Sequence, residues 1–64
     1  MNKFIKLYII HEDDCIIVKY VNVDHILKIY TDGNNVHVEL INQEKLKLKD
    51  ENLDVFMDRF YFSK

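Results

Sequence analysis

The chain has 64 residues, of which 48% are hydrophobic, and it carries a formal net charge of −2. This length allows one small domain, the apolar content excludes a disordered tail, and the acidic balance argues against a general nucleic-acid binder. The single cysteine excludes the disulfide-rich extracellular class and fits a reducing compartment, so we expect a cytoplasmic protein.

Two apolar runs near the N-terminus, Phe4–Ile10 and 15–20, predict a first antiparallel hairpin. The first run is too short to span a bilayer and Lys6 interrupts it, so we expect no membrane segment. Pairing Ile10 with Cys15 across a loop at 11–14 places six residues on one side of the sheet, namely Ile5, Leu7, Ile9, Ile16, Val18 and Tyr20.

The opposite side of this hairpin is apolar as well, since it carries Phe4, Tyr8, Ile10, Cys15 and Ile17. Strands that are apolar on both faces are normally covered on both faces, and one helix can cover only one of them. Small domains also gain stability from a partner subunit. We therefore predict a homodimer in which two copies stack through these five residues.

The middle of the chain predicts a second hairpin, with strands at 26–31 and 36–41. Pairing Asp32 with Asn35 leaves Gly33-Asn34 as a two-residue loop, and both loop residues tolerate the positive φ angles of a type I′ turn. In this register one face carries Leu27, Ile29, Thr31, Val36, Val38 and Leu40, with Ile29 opposite Val38.

A fifth strand at 45–49 follows a predicted three-residue loop at 42–44, in which Asn42 or Gln43 takes the strained conformation. Glu39 then faces Lys47 and His37 faces Lys49. The last strand thus carries an outer row of lysines: Lys45, Lys47 and Lys49. Such a row can meet phosphate or an acidic partner, but lysines on an outer strand also prevent edge-to-edge aggregation, which is the interpretation we prefer.

The C-terminal segment predicts one amphipathic helix over 51–61, with Asp50 as its N-cap. Its apolar stripe follows the helical period and comprises Leu53, Phe56, Met57, Phe60 and Tyr61. Phe62 lies off the stripe, so it either folds back over a sheet edge or joins the self-association surface. The predicted fold class is therefore α+β and mainly β: a small antiparallel sheet of about five strands with one C-terminal helix packed on one face.

No group of residues predicts catalysis or a cofactor. The loop from His11 to Cys15 contains each common type of metal ligand, but ligands this close rarely converge on one metal, and a solvated acidic turn is the preferred interpretation. His25 and His37 have no nucleophile or carboxylate at a spacing that suggests a catalytic group, and Ser63 lies in the C-terminal tail. We expect a protein that is not an enzyme.

From residue 22 onward the chain resembles a known family in its turn and cap residues. The two matching segments are Asn22-Val23-Asp24-His25-Ile26 and the strand-to-helix junction at 48–55. On these segments the sequence resembles the FlbD-like family, also called SwrD, of short bacterial proteins associated with flagella and swarming. The family's Asn-Gly turn is replaced here by Asn42-Gln43, and the resemblance supplies no catalytic residues.

The sequence therefore predicts a small bacterial, non-enzymatic interaction or regulatory module that self-associates and has a protein partner still to be identified. The alternative is an RNA- or DNA-binding regulator that uses the lysine row. The chain is similar in size and element order to the carbon storage regulators, which are RNA-binding dimers, although its acidic charge counts against that function.

Overall fold

The computed structural model describes residues 3–62 and confirms a mainly β, α+β architecture. Five antiparallel strands precede one helix: β1 (Phe4–Ile10), β2 (Ile16–Asn22), β3 (Ile26–Asp32), β4 (Asn35–Leu40), β5 (Lys45–Lys47) and α1 (Leu53–Phe62). One turn of 3-10 helix, Val23–His25, connects β2 to β3 and is capped by the Asn22 side chain. The boundaries agree with the predicted ones to within two residues.

The strands form two sheets, where the sequence predicts one. β1 and β2 form a hairpin of their own, and β4 lies between β3 and β5 in the second sheet. The sheets are joined where Ile9 forms an isolated bridge with Leu48 and the Lys49 N–H donates to the Tyr8 carbonyl at 2.8 Å. A single bridge does not hold two strands side by side along their length, so the sheets diverge beyond it.

The hydrophobic core lies between these sheets and the helix. Its central side chain is Phe56, which is fully buried. The other buried residues are Ile5, Leu7, Ile9, Val21, Val23, Val36, Val38, Leu40, Leu46 and Leu48. All of the strands except β3 contribute fully buried or nearly buried side chains, and β3 contributes Ile26 and Ile29 at the margin of the core.

The second hairpin adopts the predicted register over most of its length. Ile29 pairs with Val38, and Gly33 has a φ of 64°, as the two-residue loop requires. The predicted inward position of Leu27 is wrong, because a bulge between Ile26 and Lys28 turns Leu27 outward and leaves it 62% exposed. Since a bulge adds one residue to one strand, Ile26 points inward in place of Leu27.

The loop between β4 and β5 begins one residue earlier than predicted. The Leu40 N–H donates to the Glu44 carbonyl at 2.8 Å, which makes 41–43 the three-residue loop. Gln43 has a φ of 72° and is the strained residue, in agreement with the prediction that Asn42 or Gln43 takes this conformation. The cross-strand partners of β5 change as a result.

A different residue from the one predicted caps α1. The side-chain oxygen of Asn52 accepts the Asp54 N–H at 2.9 Å and the Val55 N–H at 3.3 Å. Asp50 is not the cap: it turns the chain with a φ of 49°, a conformation that aspartate tolerates. The Leu48 N–H still donates a hydrogen bond to the Val36 carbonyl of β4. The chain therefore has to turn away from the sheet before a helix can begin.

The helix packs through a narrower stripe than its sequence predicts. Leu53, Phe56 and Phe60 contact the core at positions i, i+3 and i+7. Met57 and Tyr61, which are also predicted to face inward, are 39% and 72% exposed. The sheets contact this short helix along one line only. Met57 at i+4 and Tyr61 at i+8 lie to the side of that line and stay exposed.

Arg59 ties the helix to β1. Its Nη1 donates to Oε2 of Glu51 at 2.8 Å, and its Nη2 donates to the carbonyl of Lys6. The guanidinium also lies 5.8 Å from the centre of the Phe56 ring. One planar side chain thereby connects the segment before the helix, the helix and the first strand.

Candidate functional site

The first hairpin exposes an apolar face on the side away from the core. Even-numbered residues of β1 and β2 share this face because side chains alternate along a strand. Six of them are apolar and form what we call the hairpin patch: Phe4, Tyr8, Ile10, Ile16, Val18 and Tyr20. Ile10 is half-buried, and the other five are at least 42% exposed. Monomeric proteins seldom expose so many large apolar side chains together.

The patch differs from the predicted surface because the hairpin register differs by one residue. Ile10 pairs with Ile16 rather than with Cys15. Five residues, 11–15, lie between this pair; the His11 N–H donates to the Cys15 carbonyl at 2.8 Å, and Asp14 has a φ of 59°. A shift of one residue moves every side chain of β2 to the opposite face.

This shift changes which predicted residues belong to the surface. Phe4, Tyr8 and Ile10 face outward as predicted. The outward positions predicted for Cys15 and Ile17 are wrong: Cys15 lies in the exposed loop, and Ile17 is half-buried opposite Ile9 on the inner face. The core-side positions predicted for Ile16, Val18 and Tyr20 are wrong as well, because all three face outward in the patch.

Lys6 is the one charged residue on the outer face of the hairpin. Its Nζ lies 5.2 Å from the centre of the Tyr8 ring, and Tyr20 is its cross-strand partner. The pKa of Lys6 is raised, first by a hydrogen bond with the Tyr8 side chain and then by electrostatic interactions with Tyr20 and Tyr8. The ammonium therefore stays charged over an aromatic surface, which is a favourable contact.

Phe62, the remaining residue of the predicted self-association set, lies at the end of the helix. It is 80% exposed, and its ring packs against that of Tyr61 at 5.7 Å in a T-shaped arrangement. The alternative in which Phe62 folds back over a sheet edge is therefore wrong. Its part in an interface stays a prediction.

The lysine row is divided in the structure. Lys45 lies opposite Glu39, and Lys47 lies opposite His37. The predicted pairs, Glu39 with Lys47 and His37 with Lys49, are wrong by two residues because the loop before β5 starts earlier. Lys49 lies beyond the end of β5, and its Nζ is 3.4 Å from Oδ2 of Asp50.

A cleft of about 320 Å³ lies where the two sheets diverge. Ile9, Ile17 and Leu46 supply its apolar lining. At its edge Lys19 Nζ bonds to Glu44 Oε1 at 3.1 Å, in an ion pair exposed to solvent. The cleft explains why Ile17 is only half-buried: its side chain faces inward where no helix covers the sheet.

The remaining candidates do not converge on a reactive group. Within residues 3–62, no three His, Cys, Asp or Glu side chains are arranged to hold a metal ion. His25 lies in the 3-10 turn before β3, and His37 stacks on Tyr30 of the neighbouring strand. No helix in this part of the chain has the length and apolar character needed to cross a bilayer.

Comparison with known proteins gave no match to a family model, to a curated protein or to a solved structure. The resemblance to the FlbD-like proteins stays a prediction.

Proposed function

We propose that the protein is a small non-enzymatic interaction module of the bacterial cytoplasm that associates with a second copy of itself through the hairpin patch. The observation that supports this most strongly is the exposure of five large apolar side chains on one face of β1 and β2. Water leaves such a surface when an equally apolar surface covers it. The same face on a second copy supplies that surface, and a two-fold axis brings the two together.

The electrostatics of the face suit a like-with-like contact. Lys6 is its only charge, and its ammonium already lies over the Tyr8 ring. Lys6 lies within the patch, between Phe4 and Tyr8 on β1 and opposite Tyr20, so its methylene chain covers apolar surface in the contact. Two copies can approach while each ammonium keeps its contact with the ring of Tyr8.

The size of the patch indicates the strength of the contact. The exposed fractions of its six side chains correspond to roughly 500 Å² per copy. Specific complexes bury about 600–1,000 Å² per partner, so the patch lies near the lower limit. We expect a dimer that dissociates in the micromolar range.

Two further features support the bacterial cytoplasm as the location in this proposal. The exposed Cys15 fits a reducing compartment, and the resemblance to the FlbD-like proteins, which are associated with flagella and swarming, suggests a bacterial protein. A dimer also presents two copies of the exposed pair Tyr61 and Phe62, which gives a protein partner two equivalent points of contact.

The experiment compares glutamate substitutions inside and outside the patch by sedimentation velocity. Val18→Glu and Ile16→Glu place a carboxylate within the proposed interface on β2, whereas Leu27→Glu places one at the exposed bulge of β3. An unpaired buried charge costs several kcal/mol, so the two patch variants should weaken the dimer by about 100-fold or more. Leu27→Glu should dimerise like the natural protein.

Thermal unfolding provides the control, since all three positions are exposed in the single chain and the variants should fold. A protein that stays monomeric at high micromolar concentration would contradict the proposal. If all three variants dimerise equally, the interface lies on another surface of the protein.

A further inference from the structure

The outer face of the second sheet carries a stacked pair of aromatic rings. Tyr30 of β3 lies directly opposite His37 of β4, with ring centres 5.3 Å apart and ring planes within 10° of parallel. β3 is the outermost strand of its sheet, so the far side of the Tyr30 ring faces away from β4. A planar base placed on that side would continue the stack.

Three exposed lysines surround this pair of rings. Lys28 precedes Tyr30 by two residues on the same side of β3, and Lys47 lies opposite His37 on β5. Lys45 and Lys28 lie on either side of Glu39 in the neighbouring row. We call this surface, made of Lys28, Tyr30, His37, Lys45 and Lys47, the basic aromatic face.

The basic aromatic face differs in net charge from the rest of the molecule. The three lysines share the face with Glu39 and with Asp32 at the end of the hairpin. The remainder of the chain then has six basic and nine acidic residues, from totals of nine and eleven. The face therefore has a net charge of +1, three lysines against two carboxylates, while the remainder of the chain has a net charge of −3.

We propose that the basic aromatic face binds single-stranded nucleic acid, with a base stacked on Tyr30 and phosphates held by Lys28, Lys45 and Lys47. Stacking and phosphate contacts together are how proteins bind single strands without reading their sequence. The lysine set differs from the row seen in the sequence, because Lys49 is paired with Asp50 beyond β5 and Lys28 takes its place. The face shares no residue with the hairpin patch, so either surface can be lost without the other.

The test measures the binding of fluorescein-labelled single-stranded oligonucleotides of about ten nucleotides by fluorescence anisotropy at several salt concentrations. The logarithm of the binding constant falls with the logarithm of salt concentration by about 0.7 per phosphate contact, so three lysines should give a slope of about −2. Lys47→Gln should reduce that slope by about 0.7. Lys19→Gln is the matched control, since Lys19 is also exposed but lies on β2, and it should leave the slope unchanged.

Variants of Tyr30 separate stacking from charge. Tyr30→Leu should weaken binding about fivefold or more at every salt concentration without changing the slope, and Tyr30→Phe should retain binding. Because Tyr30 is half-buried, the unfolding midpoint of each variant is measured in parallel. If Tyr30→Leu does not fold, the comparison of Lys47→Gln with Lys19→Gln decides the question alone.

Three results would overturn the proposal. The first is an absence of binding at low salt, and the second is an equal effect of Lys19→Gln and Lys47→Gln. The third is that duplex DNA or a poly-glutamate peptide binds as tightly as the single strand with no effect of Tyr30→Leu, which would identify the face as a site for any polyanion.

Discussion

Replacing Phe56 by alanine should lower the free energy of unfolding by about 3–5 kcal/mol at 25 °C. Phe56 is fully buried and is the one helix side chain at the centre of the core. Truncating a buried phenylalanine costs about 3–5 kcal/mol, through lost burial and through the cavity that remains. A domain of this length has a total stability of about 3–10 kcal/mol, so one substitution removes a large part of it.

Far-UV circular dichroism with urea titration measures this effect, and Met57→Ala is the matched control. Met57 is the next residue in the same helix, but it is 39% exposed. Its truncation should cost less than about 1 kcal/mol. Equal losses from the two variants would mean that the helix packs through a different face.

Replacing Arg59 by methionine should destabilise the protein by about 2–3 kcal/mol. Its guanidinium is 2.8 Å from Glu51 Oε2, and the Glu51 side chain is only 13% exposed. Hydrogen bonds to charged groups contribute about 1.5–3 kcal/mol, and this substitution also leaves a largely buried carboxylate without the partner that neutralises it. The bond from Arg59 to the Lys6 carbonyl is lost at the same time.

Lys19→Met is the control, because Lys19 forms an ion pair of comparable length, 3.1 Å, with Glu44. The side chains of Lys19 and Glu44 are both at least 40% exposed. Exposed ion pairs contribute less than about 1 kcal/mol to the free energy of unfolding. The free energy of unfolding of each variant is obtained from urea titrations. If Lys19→Met lowers the free energy of unfolding as much as Arg59→Met does, the burial of Glu51 does not make its ion pair the stronger one.

The second hairpin and the inward side of the helix could be predicted because local chemistry and hydrophobic pattern agree there. Gly33-Asn34 suits a two-residue turn, and the register that this turn sets also pairs Ile29 with Val38. The periodicity of α1 identified Phe56 and Phe60 as inward, although it did not show where the stripe ends. That limit depends on how the sheets diverge, which is a property of the whole fold.

The register of the first hairpin could not be predicted in the same way. Both the odd and the even positions of β1 and β2 are rich in apolar residues, so alternation does not identify the core face. The loop of 11–15 contains no glycine, and Asp14 takes the positive φ angle instead. Without that turn signal, a four-residue loop fits the sequence as well as a five-residue loop.

This ambiguity affects the candidate site directly. Phe4, Tyr8 and Ile10 lie on β1 and keep their face in either register, whereas Ile16 and Ile17 exchange faces. The stack of Tyr30 on His37 was missed for another reason. The cross-strand pairing of 30 with 37 follows from the predicted loop, but the pairing alone does not show that the two rings stack face to face.

The most direct test of self-association through the hairpin patch is an isotope-filtered NOE experiment. Isotopically labelled and unlabelled chains are mixed at high concentration, and only contacts between two different copies are recorded. We expect contacts from the methyl groups of Val18 and Ile16 in one copy to the rings of Tyr8, Tyr20 or Phe4 in the other. Intermolecular contacts that involve only residues outside the patch, or none at all at high micromolar concentration, would contradict the account.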